Sequence, residues 1–367
     1  MKIIKFLILY PISLIYGFIT KVRNTLYDIK IFKSQEFYVP IISIGNITVG
    51  GTGKTPMTEY LTEILKSQYK VAILSRGYKR KTKGFILADK NSTVEQIGDE
   101  PLQMKKKNPD ITVAVGENRV SAIKKIMTND PKISLIILDD AFQHRKIKPG
   151  LSILLIDYNR PLFKDYYLPY GRLRESRNEL HRAHIILITK TPDTLKPIDM
   201  RIVSKNYKLK PYQTMYFSGI EYKKPEPVFT NKSGKANIER VNNSEVLLIT
   251  GIANPAPLIQ YIEKENNTVT HLKFKDHHNF SNKNIDKIID TFDNIKGENK
   301  LIITTEKDAL RLQKFSDMFS GIKTQFYFVP IGVKLINPEE DEFKIQINDY
   351  IKTGSATNSF FATRRNI

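Results

Sequence analysis

The sequence has no cysteine among its 367 residues. Disulfide bonds are therefore impossible, and zinc or iron–sulfur sites that depend on thiolate ligands are excluded. Acidic residues are also scarce, since 38 Asp and Glu stand against 58 Lys and Arg, for a formal net charge of +20. Such an excess favours polyanionic partners, which are nucleic acid, an anionic membrane surface or a phosphorylated substrate.

A long apolar run occupies residues 3–19 at the N-terminus, but Lys5 and Pro11 interrupt it. It is shorter than the about 20 residues that a spanning helix needs. A weakly polar stripe recurs along it at helical spacing (Ser13, Gly17, Thr20 and Lys21). These features predict a helix that lies in the membrane interface rather than across it. No small-x-small cleavage site follows, which disfavours a secretory signal. A buried first helix of a soluble domain is the other alternative.

Beyond this run, apolar strand-like segments alternate with segments that have one apolar helical face. The runs ISLIILDDA and LSILLIDY are nearly continuous, as buried strands of a parallel sheet require. The alternation predicts a doubly wound α/β domain, and it resumes after a Pro- and Lys-rich stretch. The expected organisation is an N-terminal membrane-associated helix (1–30), an α/β domain with a phosphate-binding loop (31–215), a β-strand linker (216–239), a second α/β domain (240–350) and a disordered tail (351–367).

The segment SIGNITVGGTGKTP, residues 43–56, is similar to a phosphate-binding loop. Its glycines let successive N–H groups point at phosphate oxygens, Lys54 can reach the β- and γ-phosphates, and the Thr55 hydroxyl can hold Mg²⁺. Thr48 stands where the usual motif has glycine. Because a strand precedes the loop and a helix follows it, we predict a nucleotide site rather than a simple glycine-rich turn. The predicted ATP-binding residues are Thr48, Val49, Gly50, Gly51, Thr52, Gly53, Lys54 and Thr55.

Asp139 and Asp140 follow another buried strand, where a phosphate-binding loop needs a carboxylate for its metal. One of them could hold Mg²⁺ directly or through water while the other orients it. An aspartate cap on a following turn is the alternative. Gln143 and His144 come shortly after and could line the same cleft.

Three further segments could contribute to chemistry. Asp99 in GDEP is either an ordinary helix start or a base toward an acceptor hydroxyl. Arg76 and Tyr78 follow a strand end, where an arginine could clamp phosphate. In KDHHNF, a histidine beside Asp276 fits a proton relay, whereas adjacent histidines point apart and are poorly placed to share one metal.

Taken together and in this order, the motifs GNITVGGTGKTP, LSRGYKRK, IGDEP, VGENR, ILDDAFQHR, PYGRLRES, TGIANP, KDHHNFS and TEKDALR cover nearly the whole chain. The sequence resembles the tetraacyldisaccharide 4'-kinase family, the lipid A 4'-kinases of Gram-negative bacteria. The resemblance also accounts for Thr48, because the loop of this family has that form.

The resemblance implies transfer of the γ-phosphate of ATP, with Mg²⁺, to the 4'-hydroxyl of a tetraacylated glucosamine disaccharide 1-phosphate. It also implies two α/β/α domains joined by a β-strand linker, the first with a P-loop NTPase-type doubly wound sheet. The lipid disaccharide and the membrane surface are the expected partners. The expected location is the cytoplasmic face of the bacterial inner membrane, in a peripheral or monotopic arrangement.

The family pattern also implies roles for individual residues. Asp99 matches the catalytic base, with His277, or less securely His278, as its partner. Lys54 matches the residue that neutralises phosphate charge, while Thr55, Asp139 and Asp140 match the metal site. The remaining matches to cleft positions are Arg76, Tyr78, Glu100, Arg119, Gln143, His144, Arg174, Glu175 and His278.

Two other classes of function compete with a lipid kinase. A P-loop GTPase switch or metallochaperone would want Asn/Thr-Lys-x-Asp for guanine, but Asp193 in TKTPD lies one residue too far from Lys190. A nucleic-acid-binding protein would cluster its basic residues among stacking aromatics. Here the lysines are spread along the whole chain, so we expect no nucleic-acid partner.

Overall fold

The apolar runs become the strands of two sheets. The computed structural model describes residues 2–229, 243–265, 267–276, 278–336 and 339–354, so His277, part of the predicted linker and most of the predicted tail lie outside it. The strands are β1 (Ile41–Gly45), β2 (Val71–Ser75), β3 (Ile86–Leu87), β4 (Thr112–Val115), β5 (Leu135–Leu138), β6 (Leu151–Asp157), β7 (Ile185–Thr189), β8 (Thr214–Tyr222), β9 (Glu226–Pro227), β10 (Glu245–Thr250), β11 (Thr268–Lys273), β12 (Lys300–Thr305), β13 (Phe326–Val329) and β14 (Ile331–Leu335).

The helices alternate with these strands along most of the chain. They are α1 (Lys2–Asp28), α2 (Lys54–Leu65), α3 (Val94–Ile97), α4 (Asp99–Lys107), α5 (Arg119–Asn129), α6 (Pro197–Lys205), α7 (Ala256–Lys264), α8 (Asn282–Asp293), α9 (Glu306–Leu312) and α10 (Glu339–Thr353). Short 3-10 turns add Leu162–Lys164, Arg177–Arg182, Gln313–Phe319 and Lys323–Gln325.

The first sheet has nine strands in the order β14-β8-β7-β6-β1-β5-β2-β4-β3. β1 lies between β5 and β6 and runs parallel to both. The chain therefore builds the sheet outward from β1 in both directions, and the loops that leave β1 and its neighbours flank a crevice at their carboxyl ends. The edge strand β3 pairs antiparallel with β4, so the sheet is mixed.

Helices cover both faces of this sheet, which explains why its strands are apolar on both sides. Alternate residues of β1 divide between two cores. Ile42 packs with Leu61 of α2, whereas Ile41 packs with Ile123 of α5. The sheet is thus the middle of three layers, and the loops at its strand ends remain available for a site.

The second sheet has five strands in the order β11-β10-β12-β13-β9. β10 to β13 pair in parallel, and β9 joins the edge antiparallel to β13. Leu248 of β10 packs with Leu258 and Ile262 of α7. On the other face Leu247 packs with Ile288 of α8. The α/β fold inferred from the sequence is confirmed, with mixed sheets in place of fully parallel ones.

The chain divides into two compact units, one formed by Met1–Ile220 with Val333–Ile367 and the other by Glu221–Gly332. The sequence pattern placed residues up to 350 in the second domain, but α10 belongs to the first unit by its contacts. Tyr350 reaches back to β1, where its hydroxyl donates to the Ile41 carbonyl and accepts from the Ile41 N–H, both at 3.0 Å. Phe343 and Ile347 are fully buried in the core beneath β1.

In the described part of the chain, α1 is the helix that is long and apolar enough to cross a membrane, over Phe6–Asp28. Most of its large side chains face outward, and Phe18 is 68% exposed. Ser13 and Gly17 of the weakly polar stripe instead pack on the rest of the first unit, whereas Lys21 is exposed. The Ser13 hydroxyl accepts from the Tyr170 N–H at 2.9 Å, and a Cβ at Gly17 would lie 2.7 Å from the Tyr167 ring.

Candidate active site

The loop between β1 and α2 has a backbone that only glycine adopts readily. Gly50 and Gly53 have φ values of 108° and 88°, in the left-handed region. Gly53 immediately precedes α2, so the loop ends at a helix N-terminus, whose N–H groups and dipole attract anions. This turn can therefore hold phosphate oxygens.

Thr48, where the usual motif has glycine, has an ordinary extended backbone. It forms an antiparallel bridge with Leu173, and the neighbouring Val49 N–H donates to the Arg172 carbonyl at 2.8 Å. It is not among the described residues with positive φ. The first position of this loop needs no glycine because segment 172–173 anchors it as an extended chain.

Three side chains hold the far end of the loop. Asn46 Nδ2 donates to the Thr52 hydroxyl at 2.7 Å, and the Thr189 hydroxyl at the end of β7 donates to the Thr52 carbonyl at 2.9 Å. Lys190 donates from Nζ to the Gly51 carbonyl. These bonds keep the turn in position before any phosphate arrives, which lowers the ordering cost of binding.

Lys54 and Asp140 face each other at the mouth of this loop. Lys54 Nζ lies 3.7 Å from Asp140 Oδ1 and 3.5 Å from Asn46 Oδ1. Arg174 Nη1 approaches the same Asp140 oxygen at 3.2 Å. Burial alone would raise the pKa of Asp140, but the charges of Lys54, Arg174 and Arg119 hold this pKa below its ordinary value. Asp140 is therefore an anion across the physiological range.

Asp139 has the opposite environment, although it is the next residue. Its carboxylate is buried and accepts from the Thr58 hydroxyl at 3.3 Å and the Ser75 hydroxyl at 3.1 Å. Burial, followed by the charges of Glu100 and Asp140, raises the pKa of Asp139 to about 7. Burial and the neighbouring carboxylates thus disfavour the Asp139 anion, a cost that a bound cation would reduce.

Arg119, the first residue of α5, fixes the turn that carries both aspartates. Its Nη2 donates to the carbonyls of Asp139 at 2.8 Å and Asp140 at 2.9 Å. The side chain is buried, and desolvation lowers its pKa. The family-matched Arg119 is therefore a positioning group for the aspartate pair in this structure.

Gln143 and Glu175 connect the aspartate turn with β1 and α1. Gln143 Nε2 donates to the Asn46 carbonyl at 2.7 Å and to Glu175 Oε2 at 3.3 Å. Glu175, which is 1% exposed, also accepts from Asn24 Nδ2 of α1 at 3.1 Å. Arg182 Nη2 completes the shell of Glu175 at 2.5 Å. The N-terminal helix is thus joined to the nucleotide loop through one buried carboxylate.

The segment after β2 and the start of α4 meet beside this site. Gly98 has a φ of 90°, and a Cβ there would lie 3.0 Å from the Tyr78 carbonyl. Asp99 and Glu100 form the first turn of α4 and are half-buried. Arg76 directly follows Ser75, which bonds Asp139. These predicted residues therefore share one edge of the sheet with the aspartate pair.

Comparison with known proteins decides the family. The model of the family described as "Tetraacyldisaccharide-1-P 4'-kinase" matches residues 5–352. The chain belongs to the tetraacyldisaccharide-1-P 4'-kinase family. The resemblance carried by the motifs is confirmed.

Proteins named as kinases of this family match this chain along nearly its whole length. The tetraacyldisaccharide 4'-kinase of Bacteroides thetaiotaomicron is 45% identical over 366 residues, covering 98% of this chain and 96% of that protein. That of Phocaeicola vulgatus is 46% identical over 354 residues, covering 96% and 97%. The crystal structure of the "apo" form of LpxK from Aquifex aeolicus in complex with ATP matches with a TM-score of 0.70 at 28% identity, covering 92% and 96%.

Of the two histidines that the kinase family pattern singles out, the structure describes one. His277 lies outside the described residues. His278, in the second unit, packs its ring against Phe274 and Phe280. Its Nε2 shares a hydrogen bond with Asn284 Oδ1 at 2.9 Å. His278 is thus part of the packing at the start of α8.

Sequence reasoning missed three residues of the first-unit network. Asn46 lies inside the quoted loop motif, but the spacing of residues in that motif does not predict its side-chain bonds to Thr52 and Lys54. Asn24 is a single polar residue that directly follows Arg23 in α1. Arg182 stacks on Phe142 at 4.1 Å and donates to Glu175, although its neighbours match no motif. Only proximity in the fold reveals these partners.

Proposed function

We propose that this chain transfers the γ-phosphate of ATP to the 4'-hydroxyl of a tetraacylated glucosamine disaccharide 1-phosphate, a step of lipid A biosynthesis. The observation that carries the proposal is the pairing of the phosphate-binding turn with Lys54 and Asp140 in a chain that this kinase family matches over residues 5–352. Phosphoryl transfer requires positioning and charge neutralisation more than covalent catalysis, and this is what the site offers.

ATP is the proposed phosphate donor, held by residues 48–55. The turn at Gly50 to Gly53 presents N–H groups at a helix N-terminus. Within the described ranges, the polar contacts of the Lys54 amine are long, 3.7 Å to Asp140 Oδ1 and 3.5 Å to Asn46 Oδ1. Such a side chain can turn toward the β- and γ-phosphates at little cost. The relative from Aquifex aeolicus was solved in complex with ATP, which supports this donor.

Mg²⁺ is the proposed metal, with Thr55, Asp139 and Asp140 as the residues that would hold it directly or through water. Hydroxyl and carboxylate oxygens are the hard ligands that Mg²⁺ prefers, usually one or two carboxylates with phosphates. The described residues contain no cluster of three or more His, Cys, Asp or Glu that could hold a metal ion. The phosphates of ATP would therefore supply part of the Mg²⁺ coordination. When bound, Mg²⁺ neutralises charge on the transferring phosphate.

Asp99 is the proposed base toward the acceptor hydroxyl. A sugar hydroxyl is a poor nucleophile at neutral pH, and an aligned base contributes about 10²–10⁴-fold. Asp99 lies in the first turn of α4, on the edge that also carries Asp139. We propose His277 as its partner, as the family pattern implies.

Arg76, Tyr78 and Glu100 are proposed to contact the substrates. Arg76 and Tyr78 are exposed side chains beyond the end of β2. Arg174 and Gln143 are proposed to set the orientation of Asp140, which Arg174 bonds at 3.2 Å.

We further propose that α1 holds the enzyme at the cytoplasmic face of the inner membrane without crossing it. Its contacts with the rest of the first unit run from Phe6, whose ring lies 5.6 Å from the Tyr170 ring, to Asp28, which Arg145 Nη2 bonds at 2.7 Å. A spanning helix would have to give up these contacts. The outward apolar face suits a helix lying in the interface, and each nearby Lys or Arg adds about 1 kcal/mol at an anionic leaflet. A peripheral or monotopic enzyme can reach an acceptor that stays in the bilayer.

The test is to incubate the protein with Mg-ATP and the disaccharide lipid and to look for the bisphosphorylated product by mass spectrometry. Lys54→Ala is the matched control, expected to lose about 10²–10³-fold in kcat. ATP hydrolysis that ignores the lipid acceptor would instead favour a P-loop switch. Absence of product from the wild-type protein would refute the kinase assignment.

A further inference from the structure

We propose that Lys190, which directly follows β7, is a positioning residue that sets the orientation of the phosphate-binding loop for ATP. This inference rests on the proposed function, since it names a further residue for the proposed ATP site. Lys190 belongs to TKTPD, the segment whose spacing falls one residue short of a guanine motif. The spacing does not suit guanine, yet the lysine of this segment contacts the phosphate-binding loop directly.

The backbone of Lys190 has a conformation that lysine rarely adopts. Its φ is 57°, in the left-handed region. Its two neighbours are buried threonines that are held in place. The Thr189 hydroxyl donates to the Thr52 carbonyl at 2.9 Å, and the Thr191 N–H donates to the Ser218 carbonyl at 2.9 Å. A rare backbone conformation that its surroundings impose is typical of functional positions.

Asp157, the last residue of β6, fixes the side chain of Lys190. The carboxylate of Asp157 is buried, and its Oδ2 lies 2.7 Å from Lys190 Nζ. Its Oδ1 accepts from the Asn159 N–H at 3.0 Å. Arg160 Nε is farther from the same Oδ2, at 3.9 Å. Because the main chain holds one oxygen of this carboxylate, the other oxygen keeps the Lys190 ammonium group at one point.

The bond from Lys190 to the Gly51 carbonyl sets the direction of a peptide group in the loop. In a planar trans peptide the C=O and N–H point in opposite directions, so the Thr52 N–H points away from Lys190. The Thr189 hydroxyl bonds the next carbonyl, that of Thr52, and so turns the Gly53 N–H away from β7. Neither N–H donates to a backbone carbonyl among the described residues. Both are therefore available to phosphate oxygens at the N-terminus of α2.

A role through the loop backbone differs from the role of Lys54. The N–H groups of a phosphate-binding loop cradle the α- and β-phosphates, which ADP also carries, whereas its lysine reaches the β- and γ-phosphates. Lys190 acts on the N–H groups through Gly51, so its loss should weaken ATP and ADP by a similar factor. Loss of Lys54 should weaken ATP more than ADP. The two nucleotides therefore separate the two lysines.

Lys190→Met tests this proposal, because it removes the ammonium group and keeps an unbranched side chain. Lys208→Met is the matched control, since Lys208 also has a positive φ, of 45°, but is exposed in the turn after α6. A double variant, Lys190→Met with Asp157→Asn, leaves no unpaired charge at the end of β6. On the full-length proteins, calorimetry gives Kd for ATP and ADP, product formation gives KM for the disaccharide lipid, and thermal unfolding gives Tm without nucleotide.

We expect Lys190→Met and the double variant to raise Kd for ATP and for ADP by a similar factor, about 10–100-fold, as for a lost charged hydrogen bond. KM for the lipid, and Tm of the double variant, should stay at the values of the control. Lys190→Arg, which keeps the charge, should restore part of the affinity.

Two results would overturn the proposal. One is nucleotide binding by Lys190→Met as tight as that of Lys208→Met. The other is a double variant that loses nucleotide affinity only together with a lower Tm and a higher KM for the lipid, as general loosening of the fold would cause. A wild-type protein that forms no product would refute the kinase assignment, while the comparison of Kd values would still test Lys190.

Discussion

Replacing Glu175 by alanine is the most direct test of the link between α1 and the nucleotide loop. The carboxylate is 1% exposed and accepts hydrogen bonds from three groups. These are Asn24 Nδ2 at 3.1 Å, Gln143 Nε2 at 3.3 Å and Arg182 Nη2 at 2.5 Å. Removing it affects the membrane helix, the aspartate turn and a buried arginine at once.

The expected loss in the free energy of unfolding follows from the hydrogen bonds that each donor keeps after the substitution. Arg182 keeps Glu179 at 2.7 Å, and Gln143 keeps its bond to a backbone carbonyl at 2.7 Å. Asn24 Nδ2 loses its acceptor, which costs about 1–3 kcal/mol, and the lost bond to Arg182 costs about 1.5–3 kcal/mol. We expect Glu175→Ala to lower the free energy of unfolding by about 3–5 kcal/mol, or Tm by about 10 °C.

The assay is denaturant unfolding of the full-length protein, read by circular dichroism. Glu36→Ala is the control, since its ion pair with Lys148 has both side chains 68% exposed and should contribute nothing measurable. Asn24→Ala should couple to Glu175→Ala, so that the double variant loses less than the sum of the two. A Glu175→Ala protein as stable as the Glu36→Ala protein, or strictly additive effects, would refute the reasoning.

Three further outcomes are expected. Asp99→Ala should lower kcat by about 10²–10⁴-fold while ATP binding, measured by calorimetry, is retained; unchanged turnover would exclude it as the base. Burial raises the pKa of Asp139 to about 7, so the stability it contributes is present below pH 4 and is lost as pH rises through about 7. Without divalent cations, Asp139→Asn should therefore gain stability relative to the wild type between pH 5 and pH 8 in urea unfolding, and a constant difference would contradict this. Deleting residues 1–25 should reduce sedimentation with anionic vesicles, and equal sedimentation of the truncated protein would argue against α1 as the anchor.

Much of the fold could be predicted from local pattern. Buried parallel strands read as continuous apolar runs, and LSILLID became β6, buried along its whole length. The glycines at positions 50 and 53 mark a turn whose backbone only glycine adopts easily. Family membership could be predicted too, because it depends on short motifs in a fixed order. These features are local, so the chain itself carries them.

Other features depend on residues that meet only in the folded chain. Thr48 needs no glycine because Leu173 bridges it, 125 positions further along. Helix α10 belongs to the first unit rather than the second because Tyr350 bonds Ile41 of β1. Local periodicity carries no information about such distant partners, since the same apolar face would suit either core.

At the site, the aspartate pair also combines a feature that the sequence predicts with one that only the tertiary structure sets. Two adjacent identical residues after a strand predict a metal site but not different roles. Their different pKa values come from the three-dimensional surroundings: Asp139 lies in a buried shell with Thr58, whereas Asp140 faces Lys54 and Arg174. Electrostatic environment depends on burial and on distances of a few ångströms, and only the tertiary structure sets those.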